Sequence, residues 1–358
     1  MDVLLMILYC AIVLGILVVI HEGGHFLAAR AFGVRVTEFM VGLPGPRVGF
    51  MFKGTRFGVT AVPLGGYARV CGMEAGEESP HLAGTLAFVR ERGVVKMEDV
   101  AQELGISDDE AYHALDELSE WGTIAGPHGR DKYNTYRTLS SKAACDGGSY
   151  KEGDPRPPLS DVEAFLNEER SKQYRSLPFW KRCVILLAGP GVNLLFALLV
   201  FVIVYSFVGV DATNSAGETV HIQVDPLRAI MAGLSYIGMV IMAVGQLFNP
   251  VTAAQTVSDS TSVVGIAVLS KSAAEAGLIS FSMFTAMISV SLGIMNMLPI
   301  PPLDGGRFVV EIYQRIRRRN VGQTAINRLS MVGMALFMLL FVVMLNQDIQ
   351  RFIFGNWG

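Results

Sequence analysis

The sequence predicts an α-helical polytopic membrane protein: four transmembrane helices plus one surface-lying or re-entrant helix, a membrane-associated β-hairpin and a cytoplasmic α+β insertion. Three observations carry this reading. The 358 residues are 51% hydrophobic and 17% charged, with a mean hydropathy of +0.42, too apolar for an ordinary soluble domain. Several apolar runs approach or exceed the about 20 residues that a helix needs to cross a bilayer. A long polar interval with its own turn signals separates the first run from the second. The net charge of −3 gives no overall basic field for nucleic acid. The four cysteines, Cys10, Cys71, Cys145 and Cys183, make no CxxC pair, so neither a zinc ribbon nor a disulfide framework is expected.

Residues 3–31 form the first membrane helix. No Lys or Arg precedes the run and no small-residue cleavage site follows it, so it reads as a retained helix rather than a leader. Its later part carries His21-Glu22-Gly23-Gly24-His25. Positions i and i+4 share one helix face. Two imidazoles so placed can hold one Zn²⁺, and the intervening Glu22 can take a proton from a metal-bound water.

Residues 47–52 and 56–62 read as an apolar hairpin turning at Lys53-Gly54-Thr55. Pro63-Leu64-Gly65-Gly66-Tyr67 breaks it, and 68–71 adds a further strand. Such a hairpin, directly after a metal helix, can dip into the membrane beside the site or offer an edge to an extended peptide. A purely structural sheet packed on the helix ends is an equal alternative.

Residues 74–175 are a polar insertion. Helices are expected at 82–91, 96–104 and 108–121, the last opened by Ser107 as N-cap with Glu110 at the capping-box position. Ala111, Ala114, Leu115 and Leu118 make its apolar face. Residues 123–139 supply a two-stranded ribbon, 145–158 a linker, and 159–173 a helix leading back to the membrane. This order resembles a winged helix-turn-helix domain. The third helix carries Asp108, Asp109, Glu110, Asp116, Glu117 and Glu120 and no Lys or Arg, leaving Arg130, Lys132 and Arg137 as a modest patch. Because DNA affinity comes largely from Lys and Arg, nucleic acid is disfavoured, and contact with a cytoplasmic regulator is expected instead.

Residues 184–210, 279–298 and 329–345 supply the remaining membrane helices. Residues 229–248 are apolar enough to cross, but a single crossing there would turn the arginine-rich loop of Arg307, Arg315, Arg317, Arg318, Arg319 and Arg328 outward, against the positive-inside rule. They are therefore expected to lie along or re-enter the surface, with both termini outside. Asp304, in Asn296-Met297-Leu298-Pro299-Ile300-Pro301-Pro302-Leu303-Asp304-Gly305-Gly306, closes the third membrane helix. Ionisable groups at membrane depth are costly and usually functional. Taken alone Asp304 reads equally as a helix cap. With His21 and His25 on the same cytoplasmic side it becomes a third zinc ligand, leaving a fourth position for water. Ala188-Gly189-Pro190-Gly191-Val192-Asn193 allows close helix approach. Asn193 in the span wants a partner, either as a structural hydrogen bond or in catalysis.

HEGGH in the first helix, AGPGVN in the second and NMLPIPPLDGG in the third together resemble the site-2 protease family of intramembrane zinc metalloproteases, in its bacterial RseP-like branch. PLGGYARV and Ser176-Leu177-Pro178-Phe179-Trp180-Lys181-Arg182 match that branch too. The resemblance covers residues 1–75 and 175–350. It implies zinc held by His21, His25 and Asp304, Glu22 as acid/base, and a membrane-reentrant β element. It also implies substrate contacts at Asn296 and, more loosely, at Gly65, Gly66, Tyr67 and Asn193. The implied substrates are transmembrane segments of single-span proteins, such as anti-sigma factors or remnant signal peptides, within the bilayer of a bacterial cytoplasmic membrane. Two departures stand out. Residues 211–225 are too short for the PDZ domain usual in that branch, and the insertion has no counterpart there, so substrate gating is expected on the cytoplasmic side. The domain division is then 1–75, 76–174 and 175–358. The rival readings are a non-proteolytic zinc-dependent membrane sensor or transporter, the latter disfavoured by the lack of internal repeats, and a membrane-tethered DNA-binding regulator.

Overall fold

The computed structural model describes residues 2–62, 65–73, 78–128, 131, 134–140, 149–213, 219–318 and 321–354. Pro63 and Leu64, the expected ribbon cations Arg130 and Lys132, Arg319 and the start of the 145–158 linker lie outside them. Helix α1 (Asp2–Ala31) is followed by strands β1 (Val36–Val41), β2 (Arg47–Phe52), β3 (Thr55–Thr60) and β4 (Gly66–Val70). The insertion contributes α2 (Leu82–Arg92), β5 (Val94–Lys96), α3 (Met97–Leu104), α4 (Asp108–Glu120), β6 (Ile124–Ala125), β7 (Thr135–Thr138) and α5 (Val162–Ser171). Then come α6 (Phe179–Val202), which continues as a π-helical turn to Val208, the ribbon β8 (Val210–Thr213) and β9 (Thr219–Ile222), and α7 (Pro226–Gln246). The chain ends with α8 (Ala253–Asp259), α9 (Val263–Glu275), α10 (Leu278–Asn296), α11 (Asp304–Arg317) and α12 (Gln323–Asp348).

Among the described residues five helical stretches are long and apolar enough to cross a membrane: Asp2–Ala31, Phe179–Val208, Pro226–Gln246, Leu278–Asn296 and Thr324–Phe352. The chain is a multi-pass membrane protein. Exposed Leu, Ile, Val, Phe and Met line α1, α6, α7 and α12, as lipid-facing helices require. Helices α1, α6 and α10 form the centre. α1 and α6 run antiparallel, since Gly24 abuts Ala188 and Gly189 while His21 lies opposite Asn193. α6 and α10 are antiparallel as well, with Gly293 against Pro190 and Ala286 clustered with Ala197 and Phe201. Tyr236, Ile237, Val240 and Val244 of α7 pack on that cluster.

The stretch from 209 to 277 is fastened at the end of the bundle remote from the histidines. Val224 N–H donates to the Tyr205 carbonyl at the close of α6. The Asp348 carboxylate, at the end of α12, accepts from Ser262 N–H at 2.7 Å and Gly265 N–H at 2.9 Å. Lys271 pairs with Asp2, the first residue of α1, at 2.7 Å.

The sheet after α1 differs from a simple hairpin. Its order is β2-β3-β1-β4, with β1 parallel to β3 and antiparallel to β4. The β2–β3 turn is Lys53-Gly54, both at positive φ (47° and 81°), as a two-residue turn of type I′ demands. Strand β1 is absent from the sequence reading for a physical reason. Its buried face is Val36, Glu38 and Met40, and a glutamate in an inward position breaks the apolar alternation. The fold compensates that charge: Arg47 pairs with Glu38, and the Tyr67 hydroxyl donates to Glu38 at 3.0 Å. Strand β2 is exposed along its whole length, including Val48, Phe50, Met51 and Phe52.

The insertion has its own core of Leu82, Leu86, Val89, Val95, Val100, Ala111, Ala114, Leu115, Leu118, Trp121, Ile124, Tyr136 and Leu166. Ser107 caps α4 as expected, its hydroxyl accepting from Glu110 N–H at 3.3 Å while Glu110 accepts from Ser107 N–H at 2.9 Å. Strand β5 joins the ribbon, giving a three-stranded sheet of order β5-β7-β6 instead of two strands. The insertion docks on the end of α1 through Arg35. This guanidinium donates to the Trp121 carbonyl at 2.8 Å and pairs with Glu169 on α5 at 2.5 Å. The Cys71 thiol donates to the Glu120 carbonyl at 3.2 Å, and burial pushes its pKa up to about 12, so it stays a protonated packing group.

Candidate metal centre and active site

His21 and His25 lie one turn apart on α1, both buried, with ring centroids 5.0 Å apart. Asp304 opens α11, and its approach depends on glycine. A Cβ on Gly305 would meet the Met297 carbonyl oxygen at 2.2 Å, and one on Gly306 would meet Pro301 N at 2.3 Å. Only a side-chain-free first turn can fold back on the end of α10 this closely. Asp304 Oδ2 thereby sits 3.1 Å from His21 Nε2 and 3.3 Å from His25 Nε2, and one ligand atom from each residue lies within 4.8 Å of the others.

Three features of this cluster fit a metal. A tetrahedral zinc with ligands at about 2.0–2.1 Å sets ligand atoms about 3.3 Å apart. Asp304 Oδ2 is buried and has no hydrogen bond of ordinary geometry despite its two nitrogen neighbours, which leaves it available to a cation. His25 Nδ1 lies 2.8 Å from the Ile185 carbonyl oxygen. A carbonyl only accepts, so Nδ1 holds the proton and Nε2 presents its lone pair.

Glu22 lies between the two histidines in sequence and is anchored from the sheet. Its Oε2 accepts from the Ala68 N–H of β4 at 2.9 Å, which ties the carboxylate to an edge strand of the sheet. Gly66 fits here because a Cβ would lie 2.4 Å from Val18 Cγ1 and 2.9 Å from the Met40 carbonyl oxygen. Gly65, at φ +86°, turns the chain into β4, and its carbonyl accepts from Gly42 N–H at 2.7 Å. Asn193 is fully buried with its amide nitrogen 3.2 Å from His21 Nδ1.

The structure thus brings His21, His25 and Asp304 together, with Glu22 and Asn193 beside them. The Tyr67 hydroxyl is occupied by Glu38, and the Asn296 amide donates to the Leu292 carbonyl of its own helix at 3.1 Å. Sequence reasoning missed the Ile185 carbonyl and the Ala68 N–H, backbone groups without a side-chain signature. The close helix approach expected of 188–193 falls on His25, since a Cβ on Gly189 would lie 2.3 Å from His25 Nε2.

The model of peptidase family M50 matches residues 9–340. The chain belongs to this family, that of the site-2 proteases. Similar proteins include one from Clostridium acetobutylicum that is provisionally named a zinc metalloprotease, 26% identical over 94% of each chain. The zinc metalloprotease RasP of Geobacillus kaustophilus is 25% identical over 95% of this chain and 97% of its own. The regulator of sigma-W protease RasP of Bacillus subtilis is 24% identical over the same shares. This M50 protein is accordingly a zinc-dependent metalloendopeptidase of a bacterial membrane.

Proposed function

We propose that this M50 protein cleaves transmembrane segments of single-span proteins within the bacterial cytoplasmic membrane, from a site near the cytoplasmic side. The observation that carries the reading is the convergence of His21 Nε2, His25 Nε2 and Asp304 Oδ2 from two distant parts of the chain. In this reading those atoms hold the zinc, which supplies Lewis acidity when bound. Glu22 accepts the proton of the attacking water and returns it to the leaving amine. The Ala68 N–H bond holds the Glu22 carboxylate toward β4. A helical substrate must unwind to expose its peptide bonds, and an extended stretch laid along β4 passes Glu22. Burial of the cluster between α1, α6 and α11 shields it from lipid and bulk water.

Four crossings fit this site better than five. The stretch 209–277 begins and ends at the bundle end remote from the histidines, so α7 contributes no net crossing, and the arginine-rich α11 stays on the cytoplasmic side with Asp304. The exposed apolar strand β2 suits a sheet dipping into the bilayer. Residues 1–75 and 175–358 then make the catalytic core. Residues 76–174, whose order of helix, strand, helix, helix and two strands suits a winged-helix domain, serve as a cytoplasmic regulatory module. Substrates of the anti-sigma or remnant-signal-peptide type fit, in keeping with the name of the Bacillus subtilis relative. The test is metal analysis and cleavage of single-span substrates by wild type and Glu22→Gln. The variant keeps stoichiometric zinc and loses cleavage; retained cleavage overturns Glu22 as acid/base.

A further inference from the structure

The amide of Asn193 has one atom engaged and one stranded. Nδ2 lies 3.2 Å from His21 Nδ1, while Oδ1 is buried with no hydrogen-bond partner. The residue is fully buried in α6, and its backbone carbonyl accepts from the Ser289 hydroxyl of α10 at 2.9 Å. The position is therefore fixed from two helices, and only the planar amide is free to turn about its own axis.

An amide nitrogen only donates, so in this orientation His21 Nδ1 must accept and the ring proton must sit on Nε2. That tautomer is incompatible with Nε2 as a metal ligand, since the lone pair it needs is occupied by hydrogen. A half-turn of the amide exchanges the two atoms. With the ring proton on Nδ1, Oδ1 then accepts a hydrogen bond from Nδ1–H and Nε2 presents its lone pair toward Asp304 Oδ2, while the amide nitrogen takes the place the oxygen held. His21 would then be held as His25 is, whose Nδ1–H is fixed by the Ile185 carbonyl at 2.8 Å.

Resting on the zinc-site reading above, we infer that Asn193 is a positioning residue for the metal rather than a substrate contact: its side-chain oxygen accepts His21 Nδ1–H in the zinc-loaded protein and selects the metal-binding tautomer. The alternative direction, in which the Asn193 amide acts as a donor, fits only the metal-free cluster. The two orientations make metal loading and the amide turn one event.

The experiment measures zinc retention by the full-length protein in detergent against a graded series of chelator concentrations, for wild type, Asn193→Asp, Asn193→Leu and His21→Ala. A carboxylate at 193 can only accept, so Asn193→Asp keeps zinc within a few-fold of wild type. Asn193→Leu lowers zinc affinity about 10- to 100-fold, as loss of a partner behind a metal-ligating histidine does. At saturating zinc, KM for a single-span substrate stays at the wild-type value in Asn193→Asp. The inference is overturned if Asn193→Asp loses zinc as Leu does, or if its KM rises at full zinc occupancy. If Asn193→Leu does not fold, Asn193→Asp decides alone. If His21→Ala keeps wild-type zinc affinity, the zinc site itself is misassigned. If His21→Ala loses zinc while Asn193→Leu keeps it, only the role of Asn193 fails.

Discussion

Replacing Gly189 by alanine tests whether α6 is shaped around the metal-binding face of His25. The added methyl would lie 2.3 Å from His25 Nε2 and 2.8 Å from both Cδ2 and Cε1. Ordinary non-bonded contact is about 3.5–4.0 Å, so ring and helix must separate by about 1 Å. The ring cannot simply swing away, because its Nδ1–H is held by the Ile185 carbonyl one turn earlier on the same helix. Zinc tolerates displacements of only about 0.2 Å in its ligand distances. Overpacking costs about 1–3 kcal/mol; expressed wholly in metal binding, that weakens zinc about 5- to 150-fold at 1.4 kcal/mol per decade. Gly191→Ala is the matched control, with nothing within 4 Å of the new Cβ and the same gain in helix propensity of about 1 kcal/mol. Chelator competition on the two purified variants reads the difference directly. Equal zinc affinity in Gly189→Ala and Gly191→Ala would refute the argument that the small residues of α6 serve the metal face.

Other consequences can be checked in parallel. Arg182 of α6 pairs with Glu311 of α11 at 3.1 Å, and the Tyr174 hydroxyl donates to the same carboxylate, so this half-buried cluster seats the helix that begins with Asp304. Glu311→Arg should lower zinc affinity about tenfold or more, and adding Arg182→Glu should restore part of it; absence of rescue separates the pair from Asp304. For Glu169, burial alone would raise the pKa, but hydrogen bonds and charge from Arg35 and Lys172 outweigh it and hold the carboxyl below its ordinary value. Its contribution to docking the insertion is therefore present above an unfolded value of about 4.3 and is lost as pH falls through the lower folded value. Hydrogen exchange in the insertion should rise in that acid window, whereas Arg35→Leu, which strips the buried carboxylate of its main partner, should raise exchange already at neutral pH. Deleting residues 78–172 should change which single-span substrates are cut or how fast, and an unchanged substrate profile would remove the gating role.

The residues legible in the sequence are those whose meaning is local. The shared face of His21 and His25 is set by helical spacing alone, and Lys53-Gly54 and Ser107 with Glu110 by turn and capping chemistry. The place of Asp304 was harder to read, since nothing local distinguishes a ligand from a helix cap; its cost at membrane depth and its side of the membrane pointed to the histidines, and the fold sets it within 3.3 Å of both. What could not be read falls into two kinds. Backbone groups such as the Ile185 carbonyl and the Ala68 N–H exist at every position, so only three-dimensional proximity reveals them. Strand β1 was hidden because Glu38 occupies an inward position, a polar group acceptable only once Arg47 and Tyr67 are brought to it by the fold.

The same distinction explains why the site is assembled as it is. A metal centre within apolar helices cannot be oriented by a shell of charged side chains without heavy desolvation. Here the groups behind the histidines are a main-chain carbonyl and a neutral amide, both supplied by α6. They come close enough because Gly24 and Gly189 remove the side chains that would hold α1 and α6 apart. The AGPGVN segment is thus one device read twice: its glycine admits the histidine helix, and its asparagine, four residues later on the same face, meets the other imidazole. Moving Asn193 by a single position would turn its side chain about 100° around the helix, away from His21, while leaving composition and hydropathy unchanged. The spacing from Gly189 to Asn193, rather than the mere presence of small and polar residues, is what fits α6 to the HEGGH face.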